Sequence, residues 1–182
     1  MKLKLSNLRL AFPQLFEAKT VNGEGKPAFS ATLLIKPTDP QVKAINAAID
    51  AVAKEKWGAK ADAILKQLRA ADKTALHDGD MKSTYDGFEG MLYVSARNAV
   101  RPTVLDRDKA PLVAADGKPY AGCYVNAVLE LWAQDNAFGR RVNATLMGVQ
   151  FHGDGDAFAG GGAASDDDFD DVTAGATADD LA

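Results

Sequence analysis

The side chains of this sequence best suited to chemistry are cations interleaved with aromatic rings. Between positions 85 and 141 stand Tyr85, Phe88, Tyr93, Arg97, Arg101, Arg107, Lys109, Lys118, Tyr120, Tyr124, Trp132, Phe138, Arg140 and Arg141. Cations neutralise phosphates and release counterions, while ring faces stack on open bases for about 1–3 kcal/mol each without demanding a sequence. The ligand that offers both phosphates and open base faces is single-stranded nucleic acid. Arg97, Arg101, Arg140 and Arg141 are the leading phosphate candidates, supported by Arg107 and Lys109. Tyr93, Tyr124, Trp132 and Phe138 are the leading stacking candidates, joined by Tyr120. Aromatic residues in strands also pack inward, so facing decides which of them serve.

Catalytic chemistry is poorly provided for. His77 and His152 stand far apart and belong to no triad pattern or metal-ligand spacing. The runs His77-Asp78-Gly79-Asp80 and Gly153-Asp154-Gly155-Asp156 lack the closing glutamate of a calcium loop. Gly23-Glu24-Gly25 lacks the Lys-Ser/Thr of a phosphate loop. Cys123 is the single cysteine and lies in an alternating apolar stretch, so it reads as a core residue with no disulfide or cysteine zinc site. A nuclease would need clustered carboxylates, and the acids of the body are scattered among bases. The expectation is no enzyme, no metal and no cofactor.

Charge divides the chain in two. Of 21 basic and 25 acidic residues, nine aspartates fall after His152, where there is no lysine or arginine. Without those nine, 21 bases face 16 acids, so Met1 to His152 carries +5 although the whole chain carries −4. A basic body with an acidic tail is the layout of a polyanion binder whose binding is regulated. The run Gly160-Gly161-Gly162-Ala163-Ala164-Ser165 has almost nothing to bury and reads as a flexible linker. Beyond it, Asp166, Asp167, Asp168, Phe169, Asp170 and Asp171 form an acidic peptide with one aromatic anchor for a partner. Simple solubility is the plainer role for such a tail.

These side chains need a frame, and alternation supplies it. Leu3, Leu5, Leu8 and Leu10 change parity between Leu5 and Leu8, which predicts a strand with a bulge near Ser6-Asn7. Asn22-Gly23 is the expected turn into a second strand over Ala28 to Lys36. Asp39-Pro40 opens a helix to about Trp57, carried by Val42, Ile45, Ile49 and Val52 and stopped at Gly58. Ile64, Leu65 and Leu68 predict a second short helix before a polar loop at His77 to Ser83. Strands resume at Leu92–Arg97, with Leu92, Val94 and Ala96 on one face and Tyr93, Ser95 and Arg97 on the other. Asp116-Gly117 predicts a small hairpin joining Leu112-Val113 to Pro119-Tyr120. Two long strands follow, Cys123 to Gln134 and Arg140 to Phe151. In the first, Cys123, Val125, Ala127, Leu129, Leu131 and Ala133 face the core, and Tyr124, Asn126, Glu130 and Trp132 face water. Five main strands with one helical insertion suit a small barrel of OB type better than a doubly wound sheet.

Several stretches carry a family resemblance. Phe12-Pro-Gln-Leu-Phe-Glu17, Asn22-Gly-Glu-Gly-Lys-Pro-Ala-Phe-Ser30, Tyr85-Asp-Gly-Phe-Glu-Gly90, Leu92-Tyr-Val-Ser-Ala-Arg-Asn98, Arg101-Pro-Thr-Val104, Asp116-Gly-Lys-Pro-Tyr-Ala-Gly-Cys-Tyr-Val-Asn126 and Phe138-Gly-Arg-Arg-Val-Asn-Ala-Thr-Leu146 span nearly the whole body. They resemble a phage and prophage family first catalogued as a domain of unknown function and later recognised as single-stranded DNA-binding proteins. That family is similar in plan to the replication single-stranded DNA-binding protein of short-tailed coliphages. The resemblance implies an OB-fold with an inserted helix, an acidic C-terminal tail, and a role in DNA replication, recombination or repair inside an infected bacterium. In those relatives the tail ends in an aromatic anchor, whereas here Phe169 is internal and the sequence ends Asp179-Asp180-Leu181-Ala182.

The expected organisation is a mainly β domain over residues 1–152, a five-stranded OB barrel with helices inserted at about 40–70, followed by a disordered linker and acidic tail over 153–182. The expected partners are single-stranded DNA, more weakly duplex DNA, and replication proteins held by the tail, with a homodimer compatible. No segment approaches the roughly 20 apolar residues of a membrane span, and the host cytoplasm is the expected compartment. The rival reading is a phage structural or assembly protein with a solubilising tail.

Overall fold

The leucines at the start of the chain set the first strand. Leu3, Leu5, Leu8 and Leu10 are all buried although their spacing changes parity. The register shifts between Leu5 and Leu8, and Asn7 takes a φ of 54°. That extra residue lets both halves point inward, where a strict period of two would turn one half to water. The computed structural model describes residues 1–21, 23–158 and 172. In chain order the elements are β1 (Lys2–Val21), β2 (Glu24–Ile35), α1 (Gln41–Trp57), α2 (Ala61–Ala70), β3 (Leu76–Asp78), β4 (Leu92–Asn98), β5 (Thr103–Leu105), β6 (Tyr124–Asn136) and β7 (Gly139–Gly153).

The sheet runs β3-β4-β2-β1-β6-β7-β5, and a further β4–β7 pairing at Arg97↔Thr145 closes β1, β2, β4, β7 and β6 into a five-stranded barrel. β3 adds to the barrel along β4, and β5 along β7. This is the OB-type barrel that the alternation predicts. Asp39 accepts the Gln41 N–H at 2.9 Å and starts α1, which buries Ile45, Ala48, Ile49, Val52 and Ala53. α2 buries Ala61, Ile64, Leu65 and Leu68, and both helices share one core with the barrel strands. The Trp57 indole N–H donates to Asp135 at 2.9 Å, tying the end of α1 to β6. The ion pairs of Met1, Arg69, Lys118 and Arg140 found among the described residues are partly exposed and add little to stability. Apolar burial at about 1.5–3 kcal/mol per large side chain is what holds the frame.

Three expectations need correction. The expected polar loop at His77 to Ser83 begins as strand, because β3 pairs His77 with Tyr93 and Asp78 with Leu92. The polar stretch before Ala28 is strand: β1 and β2 continue pairing through Gln14↔Ser30, Lys19↔Ala28 and Val21↔Glu24, because an antiparallel ladder needs no buried face. Gly23, at φ 75°, suits the turn, and Asn22 lies outside the described residues. The expected hairpin at Asp116-Gly117 is absent. Asp116 instead accepts the Val113 N–H at 2.7 Å and closes a single 3₁₀ turn over Ala114–Asp116, while Leu112 donates its N–H to Val104. A carboxylate so close to a free backbone N–H favours a local turn over a hairpin.

Candidate nucleic-acid interface

Pairing of β4, β7 and β6 brings their outward residues into one groove. Arg97 lies opposite Thr145, Trp132 opposite Asn143, and Gln134 opposite Arg141. Together with Ser95, Thr74 and His77 they line an open channel across the sheet. The Trp132 indole N–H donates to Thr145 Oγ1 at 3.1 Å, which fixes the ring while leaving the residue 43% exposed. Asn143 Nδ2 donates to Gln134 Oε1 at 2.9 Å and sets the groove floor. Arg97 and Arg141 are exposed, and neither forms an ion pair among the described residues. Among the described residues no acid lines the groove, and Asp72 touches its edge through a 2.7 Å contact with His77 Nδ1. Two guanidinium groups unpaired among the described residues, flanking an open indole, can hold phosphates and stack a base.

The β6–β7 turn continues one end of this groove. Asn136 Oδ1 accepts the Phe138 N–H at 2.9 Å, and the Phe138 side chain stands 91% exposed at the tip. Arg140 is a weaker phosphate candidate than its neighbour because its Nε donates to Asp135 at 3.3 Å. The hydrogen bond from Trp57, and then that from Arg140, hold the Asp135 carboxyl below the usual range.

The other expected residues lie elsewhere. Tyr93 is corrected from a stacking candidate to a packed residue: it is 4% exposed, with its ring 4.9 Å from His77 and 5.4 Å from Phe88. Burial raises its phenol pKa. Its strand position does face outward, but the 79–91 loop lays Phe88 over Ala11, Leu34 and Tyr93 and builds a second small core outside the barrel. Phe88 is itself buried there and leaves the exposed basic-aromatic set.

Tyr120 and Tyr124 are engaged by the chain that follows β7. The Tyr120 hydroxyl donates to Asp154 at 2.8 Å and accepts the Gly155 N–H at 3.2 Å. Arg9 donates to the Gly122 and Asp156 carbonyls at 3.0 and 2.7 Å, and its guanidinium sits 6.0 Å from the Tyr124 ring centroid. Gly122, at φ 102°, has the Asp156 backbone where a side chain would stand, so this close approach requires glycine. Arg101 lies 5.4 Å from the Phe16 ring centroid at a site away from the groove lining. Arg107 and Lys109 are exposed on the loop after β5, where Lys118 is paired with Asp106 at 2.9 Å.

Sequence alternation brought Arg97, Trp132 and Arg141 forward but passed over Asn143, Thr145, Gln134 and His77. Asn143 and Thr145 follow Arg141 at every second position, a signal that was legible. His77 had none, because its place depends on β3 adding to β4. Cys123 is fully buried, and burial pushes its thiol up to about 11, as a core residue requires. Among the described residues no group of three His, Cys, Asp or Glu could hold a metal ion. Among them no helix is long and apolar enough to cross a membrane. The tail positions Asp166, Asp167, Asp168, Phe169, Asp170 and Asp171 lie outside the described residues.

The family model described as Enterobacter phage Enc34, ssDNA-binding protein, matches residues 1–182. A protein of Acyrthosiphon pisum secondary endosymbiont phage 1, named putative protein p50, is 49% identical over 176 residues, covering 95% of each chain. The single-stranded DNA-binding protein from bacteriophage Enc34, solved in complex with ssDNA, superposes with a TM-score of 0.73 at 28% identity, covering 87% of this chain and 89% of that one. Another structure of the Enc34 protein gives 0.69 at 28% identity, covering 93% and 90%. The fold also matches gp2.5 of bacteriophage T7, with a TM-score of 0.56 at 13% identity over 84% of this chain and 91% of that one.

Proposed function

This chain belongs to the family of the Enterobacter phage Enc34 ssDNA-binding protein, and from that premise we propose that it binds single-stranded DNA in the β4–β7–β6 groove without regard to sequence. The observation that carries the reading is the trio Arg97, Trp132 and Arg141: two cations without a carboxylate partner among the described residues, and a half-exposed indole, in a groove that no described acid lines. Phosphate neutralisation supplies salt-dependent affinity, and stacking supplies contacts that tolerate any base. Phe138 and Arg140 extend the site at the β6–β7 turn. The protein acts by binding alone, in phage DNA replication, recombination or repair within the host cytoplasm.

The acidic tail competes with DNA for the groove and, once displaced, recruits replication proteins through Asp166 to Asp171 and Phe169. Charge and chain length support this. The body carries +5 against nine tail aspartates. Phe158 is pinned by its N–H to the Ala121 carbonyl at 3.0 Å and packs on the small outer core that contains Tyr93. From there Asp166 is eight residues further on, a reach of up to about 28 Å, while Tyr93 to Arg97 along β4 is only about 13 Å. A tail so rooted acts at high effective concentration.

Titration of a labelled single-stranded oligonucleotide across a salt series, with full-length protein and with residues 160–182 removed, tests both parts. Affinity should fall steeply with salt, and tail removal should tighten binding at low salt. No binding at about 50 mM salt would end the DNA reading. Equal affinity of the two proteins at low salt would end the competition mechanism alone.

A further inference from the structure

The outer face formed by β5, β7, β6 and β1 carries an open trough that shares no lining residue with the groove. Its volume is about 620 Å³, within the roughly 300–1,000 Å³ of ligand clefts. A bulge opens it. β6 and β7 pair Val128 with Gly148 but Leu129 with Leu146, so one extra residue places both Met147 and Gly148 outward. Leu146 and Val149 are buried on either side, while Met147 is 41% exposed. Gly148 faces Val128 on one neighbouring strand and Thr103 on the other, and its missing side chain leaves the gap between them. Its φ is not left-handed, and a Cβ there would come no closer than 3.4 Å to the Thr103 carbonyl oxygen. Neither backbone nor crowding demands glycine at this point, and glycine inside a strand marks a place where a ligand or another chain approaches closely.

The lining selects the ligand. Leu105, Val128 and Met147 give an aliphatic floor, with methionine able to adapt to an irregular guest. Lys2 and Lys4 stand exposed at the β1 rim, and neither forms an ion pair among the described residues. Among the described residues no acid and no aromatic ring lines the trough. Phosphates could pair with the lysines, but without a ring a base has nothing to stack on. A second copy joined through the same face would set these lysines against their equivalents. An acidic peptide with one large apolar side chain fits both floor and rim.

The chain itself contains such a peptide. Asp166, Asp167, Asp168, Asp170 and Asp171 surround Phe169. Phe158 roots the tail against Arg9, whose guanidinium is 4.3 Å from its ring centroid. From Arg9 to Lys4 along β1 is about 17 Å, and the eleven residues from Phe158 to Phe169 reach up to about 38 Å.

We infer that Phe169 docks in this trough, with the adjoining aspartates on Lys2 and Lys4. The tail therefore has a second seat on its own subunit, away from the groove. The inference goes beyond the groove reading and does not need DNA to hold: DNA that fills the groove shifts the peptide to the trough, where it is held at a defined place on the body.

Methyl NMR of full-length protein labelled at methionine tests it, with a nitroxide on Thr173→Cys and its reduced form as the control. Cys123 is buried and stays unlabelled. Under saturating oligothymidylate the Met147 methyl signal should lose roughly half of its intensity or more, since the tether supplies a high effective concentration, and it should lose less without DNA. Phe169→Ser, and separately Lys2→Glu with Lys4→Glu, should restore most of that signal at the parental melting temperature. Full Met147 intensity with and without DNA would overturn the seat, as would a loss that survives both sets of substitutions. A loss seen only when spin-labelled copies are mixed with methyl-labelled ones would place the peptide on a neighbouring copy and overturn the seat within one chain. A loss that the oligonucleotide leaves unchanged would uphold the seat and end the competition in the groove alone.

Discussion

The two ends of β6 carry similar outward residues and meet different fates. Tyr124 and Trp132 occupy outward positions of one alternating strand, with Cys123, Val125, Leu129 and Leu131 buried behind them. At the Trp132 end the outer face opens into a groove with Arg97 and Arg141. At the Tyr124 end the chain after β7 returns, held by Tyr120 and Arg9. Alternation tells which side of a strand a residue faces, but what lies on that side is set by chain remote in sequence. Among the described residues the Trp132 end is the one left open.

Substitutions at the two ends should separate binding from stability. The largest effect belongs to Arg97→Ala with Arg141→Ala: two charge-assisted contacts at about 1.5–3 kcal/mol each predict at least a hundredfold loss of affinity in a fluorescence-anisotropy titration. A loss under threefold would place the strand elsewhere. Trp132→Ala removes one stack and should cost about 1–3 kcal/mol of binding, with the melting temperature nearly kept. At the covered end, Tyr120→Phe deletes the hydroxyl that joins Asp154 and Gly155, and urea unfolding should show about 0.5–1.5 kcal/mol lost per hydrogen bond with oligonucleotide affinity unchanged. Weaker binding by Tyr120→Phe at unchanged stability would erase the contrast.

The smallest effect is one of pH. Asp135, held below its usual pKa by Trp57 and Arg140, contributes stability that is present above the unfolded aspartate value of about 3.9 and is lost as pH falls through the lower folded value. Asp135→Asn should flatten that part of the acid-unfolding curve and leave stability at pH 7 to 9 without pH dependence from this group. An acid limb identical to the parent's would remove Asp135 from the account of the β6–β7 end.

The barrel was readable because its strands obey simple rules. The Leu5–Leu8 parity change located a bulge, and the β6 alternation assigned the core face correctly. The helices were readable from Asp39, Gly58 and their apolar spacing. The site was less so, since its assembly depends on pairings between distant strands: Arg97 meets Thr145 only because β4 and β7 close the barrel. Tyr93 misled because its outward position is roofed by Phe88 from a loop.

The most direct test of the account is the slope of log affinity against log salt for single-stranded DNA, compared between two double variants. Arg97→Ala with Arg141→Ala should lower the slope by about 1.4, from two phosphate contacts at about 0.7 each, while Arg107→Ala with Lys109→Ala should leave the slope at the parental value. An unchanged slope in the first variant together with a reduced slope in the second would contradict the groove and place the phosphates on the loop after β5.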